Sequence, residues 1–332
     1  MDMVGRTVRY VGLLAVSITC VLGAVKSADA LSANVDDVFA AVGDGNVRHY
    51  SSDGVLLETL HLPGATQRTT GMAFDGAGNL LATAFDQNFV AKFNATGTFV
   101  GNFGSGYSTP ESIVLDRSGN VYVSSVGSAG IKEFDSAGNL LHTFISGTRV
   151  DWMDLRADQT TMLFTQEGGL VRTVNVSTGV LGPNFATGLS DAFALRILSD
   201  GTVLVADGTN IKRFDASGTL IHTYTIPGEG RLFALNLDPN GTSFWSGDIN
   251  TGDILKLDIA SGAVQETIHT GVPNQQPARA LAGLLIAGEL TVGGPGPTTP
   301  PVTGVPEPST LLLMAWGVAG LAGFAQRRMR RH

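Results

Sequence analysis

Short runs of alternating apolar and polar residues fill most of the chain between residues 35 and 290. Val121-Tyr-Val-Ser and Val203-Leu-Val-Ala are two of these runs. An apolar residue at every second position places one face of a strand in a core, so each run predicts a short β-strand. Glycine is abundant, with 43 residues, and only 15% of the chain is charged. This composition favours an all-β fold with many turns.

A turn with an F-D-x-x-G-like pattern recurs six times, and its glycines are separated by 43, 41, 41, 39 and 44 residues. A second turn recurs between them and starts at Asp75, Asp116, Ser199 and Asp238. Asp or Asn followed by Gly supplies the positive φ that tight hairpins require. A unit of about 41 residues with two such turns holds four short strands, which is one blade of a β-propeller. The six turn glycines are Gly54, Gly97, Gly138, Gly179, Gly218 and Gly262.

The phase of the repeat predicts how the ring closes. The chain enters at residues 35–42, which match a second strand, and leaves through residues 278–287, which match a first strand without a blade of its own. We expect this last strand to complete blade one, because closure removes exposed sheet edges. The sequence therefore predicts six blades, with seven as the alternative if residues 284–290 belong to a further partial blade. Blade four departs most from the pattern, since Gln159-Thr-Thr replaces its second turn.

One repeat points to a known propeller type. The segment from Val205 to Gly218, VADGTNIKRFDASG, resembles an NHL repeat. The architecture is also similar to that of propellers of the SMP-30 (senescence-marker) type. These resemblances imply an NHL-like β-propeller over residues 31–290.

The N-terminus predicts export. Arg6 and Arg9 form a positive region, residues 11–24 are apolar, and Ala28 and Ala30 form a small-residue cleavage site. Residues 1–30 are therefore predicted to form a signal peptide recognised by the Sec translocon. An N-terminal membrane anchor is the disfavoured alternative. Cys20 is the only cysteine and lies in the apolar region, so the mature chain has no disulfide.

The C-terminus carries three features in a fixed order. Residues 291–304 form a linker of Pro, Gly and Thr, and residues 305–332 follow it as a separate segment. The apolar run 311–325 of that segment is shorter than the roughly 20 residues of a stable membrane span. A basic cluster should remain on the cytoplasmic side. The hexapeptide before the run is Val305, Pro306, Glu307, Pro308, Ser309 and Thr310, and the basic cluster after it is Arg327, Arg328, Arg330 and Arg331.

This segment closely resembles the PEP-CTERM sorting signal, a tail also labelled the ice-binding protein C-terminal domain. The resemblance implies recognition by exosortase, transient contact with the inner membrane, and final release or attachment at the cell envelope, the outer surface or the extracellular matrix. Ice binding itself needs a flat, regular array of threonines, which a propeller with scattered threonines does not provide.

Charge excludes one class of partner. Outside residues 1–30 and 305–332, 14 basic residues stand against 26 acidic ones, which gives the body a formal charge near −12. Nucleic-acid binding needs a basic face, so we expect no nucleic-acid partner.

The repeat also accounts for the obvious candidates for catalysis and metal binding. His142 and His222 take the same position in different blades as Glu58 and Glu266, so they cannot share a metal. Aspartates of the turns cap hairpins. The sequence therefore predicts no catalytic residue, no metal site and no cofactor, and a calcium or other divalent ion in the channel is the alternative. The turn aspartates are Asp75, Asp116, Asp135, Asp215 and Asp238.

Ligands of propellers bind on the face where the loops that enter the inner strands meet the loops between strands two and three. A polar ligand such as a sugar or a peptide suits acids, arginines and aromatic residues around one mouth, although a solvated rim of ion pairs has the same composition. The candidate ligand residues on this face are Arg68, Glu111, Asp151, Trp152, Asp191, Phe193, Asp207, Arg231, Phe233 and Arg279, with Thr70, Asp86, Glu167 and Asp248 beside them.

The sequence thus predicts an exported propeller that binds a polysaccharide or a protein without catalysis. The alternative is a metal-dependent, lactonase-like propeller hydrolase acting on a small ester or lactone. Propeller lactonases place a Glu, two Asn and an Asp at the channel, and partner asparagines are missing from the matching positions here. Streptogramin lyases rely on a His/Glu pair, and no histidine falls on the predicted ligand face.

Overall fold

The computed structural model describes residues 31, 33–127, 129–274 and 279–295. The predicted signal peptide, the linker beyond residue 295 and the sorting segment lie outside these residues. Within them, every regular element is a β-strand, and 24 strands form six four-stranded antiparallel sheets. The fold is a six-bladed β-propeller, which confirms the fold class predicted from the repeats.

Each blade runs from an inner strand at the central channel to an outer strand at the perimeter. From inside to outside, the blades contain β24 (Leu281–Ile286), β1 (Val38–Val42), β2 (Asn46–Tyr50) and β3 (Leu56–His61); β4 (Thr69–Phe74), β5 (Leu80–Ala84), β6 (Phe89–Phe93) and β7 (Phe99–Asn102); β8 (Pro110–Leu115), β9 (Val121–Ser125), β10 (Gly130–Phe134) and β11 (Leu140–Phe144); β12 (Met153–Leu155), β13 (Thr161–Gln166), β14 (Leu170–Asn175) and β15 (Val180–Thr187); β16 (Ala192–Ile197), β17 (Val203–Asp207), β18 (Asn210–Phe214) and β19 (Leu220–Thr225); β20 (Leu232–Leu237), β21 (Ser243–Asp248), β22 (Asp253–Asp258) and β23 (Val264–His269).

The last strand closes the ring as the phase of the repeat predicted. Strand β24 pairs antiparallel with β1, with Val38 opposite Ile286 and Ala40 opposite Leu284. It supplies the inner strand of blade one, so residues 284–286 belong to that blade and not to a seventh one. Both ends of the propeller domain are thereby held in a single sheet.

The strands become less buried from the central channel to the perimeter of the propeller. The inner strands β4, β16, β20 and β24 are buried along their whole length, whereas the outer strands β11 and β19 are mostly exposed. This gradient arises because inner strands are covered on both faces, which explains why their sequences are apolar without clear alternation. Where inner strands meet, glycine is required by space: a Cβ on Gly283 would lie 2.0 Å from the backbone oxygen of Thr70.

The turn aspartates cap hairpins, as the sequence predicted. Asp75 Oδ1 accepts hydrogen bonds from the backbone N–H of Ala77 at 3.0 Å and of Asn79 at 2.9 Å. Asp135 makes the same pair of bonds with Ala137 and Asn139. These turns lie at the end of the propeller opposite the loops that enter the inner strands. Their carboxylates therefore have a structural role.

Blade four departs from the turn pattern because the residue in its second turn, Gln159, contacts other elements. Gln159 has a φ of 62°, a left-handed conformation that glycine takes in the other turns. Its Oε1 accepts from the backbone N–H of Arg117 at 2.9 Å, and its Nε2 donates to the oxygen of Gly293 at 2.9 Å. The glutamine side chain thus joins two blades to the end of the described chain.

Residues 288–295, which we call the closing segment, cross the channel at the turn end of the propeller. Arg117 Nη2 donates to the oxygen of Val292 at 3.1 Å. A Cβ on Gly293 would lie 2.2 Å from the oxygen of Leu155, which shows how closely the segment packs on blade four. The first five residues of the predicted 291–304 linker therefore lie against the body.

Candidate functional site

At the end opposite the closing segment, the inner strands converge on a cavity of about 430 Å³, which we call the mouth. The loops that enter the inner strands and the loops between second and third strands surround it, so it opens on the face where we expect ligands. Its lining residues are Arg68, Thr70, Phe85, Thr109, Glu111, Val126, Arg149, Glu167, Phe193, Arg231, Phe233, Ile249, Arg279 and Ala282.

Three of the four lining arginines pair with carboxylates. Arg149 bridges two acids, with its Nη2 at 2.7 Å from Asp151 Oδ1 and 2.8 Å from Glu167 Oε2. Charge-assisted pairs of this kind fix the direction of a guanidinium. The other two pairs are Arg68 with Asp86 at 2.5 Å and Arg231 with Asp191 at 3.0 Å.

Two of these arginines also rest on aromatic rings. The guanidinium carbon of Arg68 lies 4.4 Å from the ring centroid of Phe85, and that of Arg231 lies 5.0 Å from the ring centroid of Phe193. Stacking on an aromatic face and pairing with a carboxylate hold the planar group in one orientation. The wall of the mouth is therefore ordered before any ligand arrives.

Arg279 differs from the other three arginines. Within the described residues no carboxylate lies at ion-pair distance from it, and its Nη1 reaches only Asn250 Oδ1 at 3.4 Å. Burial, reinforced by the positive charges of Arg231 and Arg68, lowers the pKa of Arg279. Its φ of 68° is a strained conformation for a residue other than glycine.

Glu111 is the buried acid of the mouth. It lies on β8, is 4% exposed, and its Oε2 has no hydrogen-bond partner among the described residues. Burial and the nearby charges of Asp151 and Glu167, together with a hydrogen bond to Asp151, raise the pKa of Glu111 well above its usual value. Oε2 of Glu111 is therefore an unused acceptor in the wall of the mouth.

Six of the ten candidate ligand residues predicted from the sequence line the mouth together with Thr70 and Glu167. These six are Arg68, Glu111, Phe193, Arg231, Phe233 and Arg279. Phe193 and Phe233 pack at 4.8 Å between ring centroids and are buried, so they form an apolar floor.

The other four do not line the mouth. Trp152 is 2% exposed and packs edge-on against Phe233 at 6.3 Å, so it belongs to the core. Asp207 accepts from the backbone N–H groups of Ser190 and Asp191 and binds Lys212, which makes it a loop anchor. Asp151 and Asp191 act through their arginine partners. Asp86 and Asp248 likewise hold the loop residues Arg68 and Arg231.

Six further residues line the mouth and were not predicted from the sequence: Arg149, Phe85, Thr109, Val126, Ile249 and Ala282. Arg149 had a signal, because arginines precede the inner strand in four of the six blades, at positions 68, 149, 231 and 279. Phe85 had none, since an apolar residue after a second strand does not differ in sequence from a core residue.

The histidines and acids of the outer strands stay apart. His142 Nδ1 lies 2.9 Å from Glu133 Oε2 in blade three, and the ring of His222 packs 4.4 Å from that of Tyr224 in blade five. Within the part of the chain that the structure describes, no group of three or more His, Cys, Asp or Glu side chains is placed to hold a metal ion.

A family model described as the PEP-CTERM protein-sorting motif matches residues 304–331. The chain ends in a PEP-CTERM sorting motif. This confirms the resemblance of the tail, and it indicates an exported protein that exosortase processes during membrane-associated sorting to the cell surface. Among the described residues of the chain, none forms a helix that is long and apolar enough to cross a membrane.

Two solved structures resemble the body of the chain. One is a chain from the crystal structure of a nidogen/laminin complex, with 14% identity, a TM-score of 0.60, and coverage of 75% of this chain and 97% of that one. The other is a protein of unknown function from Bacteroides caccae, with 14% identity, a TM-score of 0.61, and coverage of 76% and 98%. At this identity both show the fold alone. No curated protein matches the chain.

Proposed function

We propose that the protein is an exported binding module whose mouth holds an extracellular polysaccharide without catalysing a reaction. The arginine-lined cavity of about 430 Å³ carries this proposal. Ligand sites of small molecules enclose roughly 300–1,000 Å³ and combine apolar walls with a few fixed polar groups. A cavity of this size suits sugar units of a chain better than the broad surface of a folded protein partner.

The closed end of the channel supports a binding role. The closing segment covers the turn end, where Glu289 and Arg196 form a buried ion pair at 2.8 Å. The mouth is therefore a cup and not a tunnel through the propeller. A ligand enters and leaves on the same side.

The direction of the tail supports a role at a surface. Pro295 lies at the closed end, opposite the mouth, and the sorting segment begins ten residues later, within about 35 Å of extended chain. The chain thus leaves the described body at the end opposite the mouth. In the cell envelope, on the outer surface or in the matrix, this orientation leaves the mouth open to polysaccharide.

The second candidate function is the metal-dependent hydrolysis of a small ester or lactone. It is favoured by the unpartnered Oε2 of Glu111 in the mouth. The neighbouring acids do not fit a divalent ion, because Arg149 occupies both Asp151 and Glu167. A calcium site requires several oxygen ligands that are not already engaged in other interactions.

The test is a binding experiment on the full chain in a non-ionic detergent. A panel of neutral and acidic oligosaccharides is titrated by calorimetry, and binding to any of them that a mouth variant, Phe85→Ala, weakens would support the proposal. Absence of binding to every glycan, together with capture of a protein ligand, would refute it. Thermal melts in excess EDTA and in millimolar Ca²⁺ or Zn²⁺ test the alternative, since a bound ion raises the melting temperature.

A further inference from the structure

Two groups that line the mouth lack the partner that each would favour, and together they indicate the chemistry of a ligand. The first is the cationic Arg279, which in the described residues has no carboxylate within ion-pair distance. The second is Oε2 of Glu111, a buried acceptor without a donor. Both line the same cavity. A ligand that satisfies both groups gains affinity from each, because it supplies the missing donor to the buried acceptor and a counter-charge to the guanidinium.

The field at Arg279 favours an anion. Arg68 and Arg231 act on it more strongly than Glu167 does, although the body as a whole is acidic. The carboxylates of Asp86 and Asp191 are already paired with those two arginines. A carboxylate that enters the mouth therefore meets a planar guanidinium that has no carboxylate partner among the described residues and can bind both of its oxygens.

The acceptor atom of Glu111 is suited to a hydrogen bond from a ligand hydroxyl group. Its Oε2 has no donor among the described residues and belongs to a residue that lines the mouth, so a ligand hydroxyl can donate to it. A carboxylate at that position would be repelled by Asp151 and Glu167. A neutral O–H donor is attracted instead, and the hydroxyl of Thr70 and the apolar floor leave room for one.

We propose that the mouth recognises a uronic acid residue of an acidic polysaccharide, with the sugar carboxylate on Arg279 and a ring hydroxyl donating to Oε2 of Glu111. This inference rests on the proposed function and narrows it to one class of sugar. Arg149 and Arg231 position the wall through their own carboxylate partners and do not need to leave them.

The experiment compares a charged probe with a neutral one on the full chain in non-ionic detergent. Fluorescently labelled oligogalacturonate and the matching neutral galacto-oligosaccharide are titrated by anisotropy at pH 7. We expect the uronate alone to bind, more weakly as salt rises. Arg279→Gln should weaken it by about 10–100-fold, and Glu111→Leu by about 3–10-fold, since bonds to charged groups are worth more than neutral ones. Arg213→Gln, at the turn end of β18, is the matched control and should leave binding unchanged.

The outcomes separate the inference from the function. Equal binding of the neutral and the charged probe, unaffected by Arg279→Gln, keeps glycan binding and overturns the uronate assignment. A sulfated oligosaccharide that binds as tightly as the uronate also overturns it, in favour of a general anion site. No binding of any glycan overturns both. If Arg279→Gln melts early, Arg279→Lys keeps the charge without the planar fork and should lose about tenfold in affinity if the assignment holds.

Discussion

Arg196 Nε lies 2.8 Å from Glu289 Oε1, and both side chains are buried. The pair joins blade five to the closing segment. Glu289 also accepts from the backbone N–H of Leu237 at 2.6 Å and from Asn236 Nδ2 at 2.8 Å, both in blade six. One carboxylate therefore ties the end of the described chain to two blades.

Removing this carboxylate should destabilise the propeller strongly. We expect Glu289→Ala to lower the free energy of unfolding by about 3–5 kcal/mol, because the buried Arg196 then loses the carboxylate that binds it, and the nearby charge of Asp154 makes no direct ion pair with it. Urea unfolding followed by tryptophan fluorescence measures the change. Asp44→Ala is the control, since Asp44 pairs with Arg48 on the surface and such a pair is worth about 0–1 kcal/mol. A loss at Glu289 as small as that of the control would contradict the role given to the pair.

A second buried acid beside this pair predicts the pH dependence of stability. Burial raises the pKa of Asp154 from 3.8 to about 6, despite the opposing charge of Arg196. The folded state then binds a proton more tightly than the unfolded state, so stability falls as pH rises from about 4 to about 6 and is level above. The whole effect is about 3 kcal/mol, from the 1.36 kcal/mol of each pKa unit.

Asp154→Asn separates this group from other titrating residues. We compare the free energy of unfolding of the variant with that of the natural protein. From pH 4 to pH 7 this difference should shift in favour of the variant by up to about 3 kcal/mol, because the amide does not ionise. Denaturant melts of both proteins at the two pH values provide the comparison. A difference between them that does not change with pH would show that Asp154 does not titrate in this range.

The contact of two inner strands gives a steric prediction. A Cβ at position 283 would lie 2.0 Å from the oxygen of Thr70, a backbone atom that cannot rotate away. We expect Gly283→Ala to cost about 3 kcal/mol, since β24 and β4 must separate to admit it. Gly76→Ala is the matched control, because a Cβ there meets nothing within 4 Å, and it should change stability by less than about 0.5 kcal/mol. Equal melting temperatures of the two variants would contradict the close packing.

The sequence predicted the fold because propeller blades repeat. The turn glycines set the period, the apolar runs set the strands, and the phase of the first and last strands required β24 to pair with β1. It did not predict the closing segment, because Gly293 and Gly294 resemble linker residues, and Gln159, whose side chain binds Gly293, looks like a defect of the repeat.

The candidate site was predictable in position and less so in detail. Loop position placed Arg68, Arg231 and Arg279 correctly at the mouth. Sequence alone does not tell on which side of a strand a residue lies once both sides are buried, so Trp152 was assigned to the mouth although it is in the core. Acids such as Asp207 were chosen for their charge, and the backbone bonds that occupy them depend on loop geometry.

The sorting motif gives the last prediction. If exosortase recognises the hexapeptide, replacing Pro306, Glu307 and Pro308 with alanine should leave the full-length protein in the inner membrane, because the apolar run and the arginine cluster would still retain it there. Fractionation and immunoblotting of cells that contain exosortase follow the two forms. Replacing Pro300 and Pro301 with alanine in the linker is the control and should leave processing intact. Normal processing of the hexapeptide variant would show that sorting does not depend on this motif.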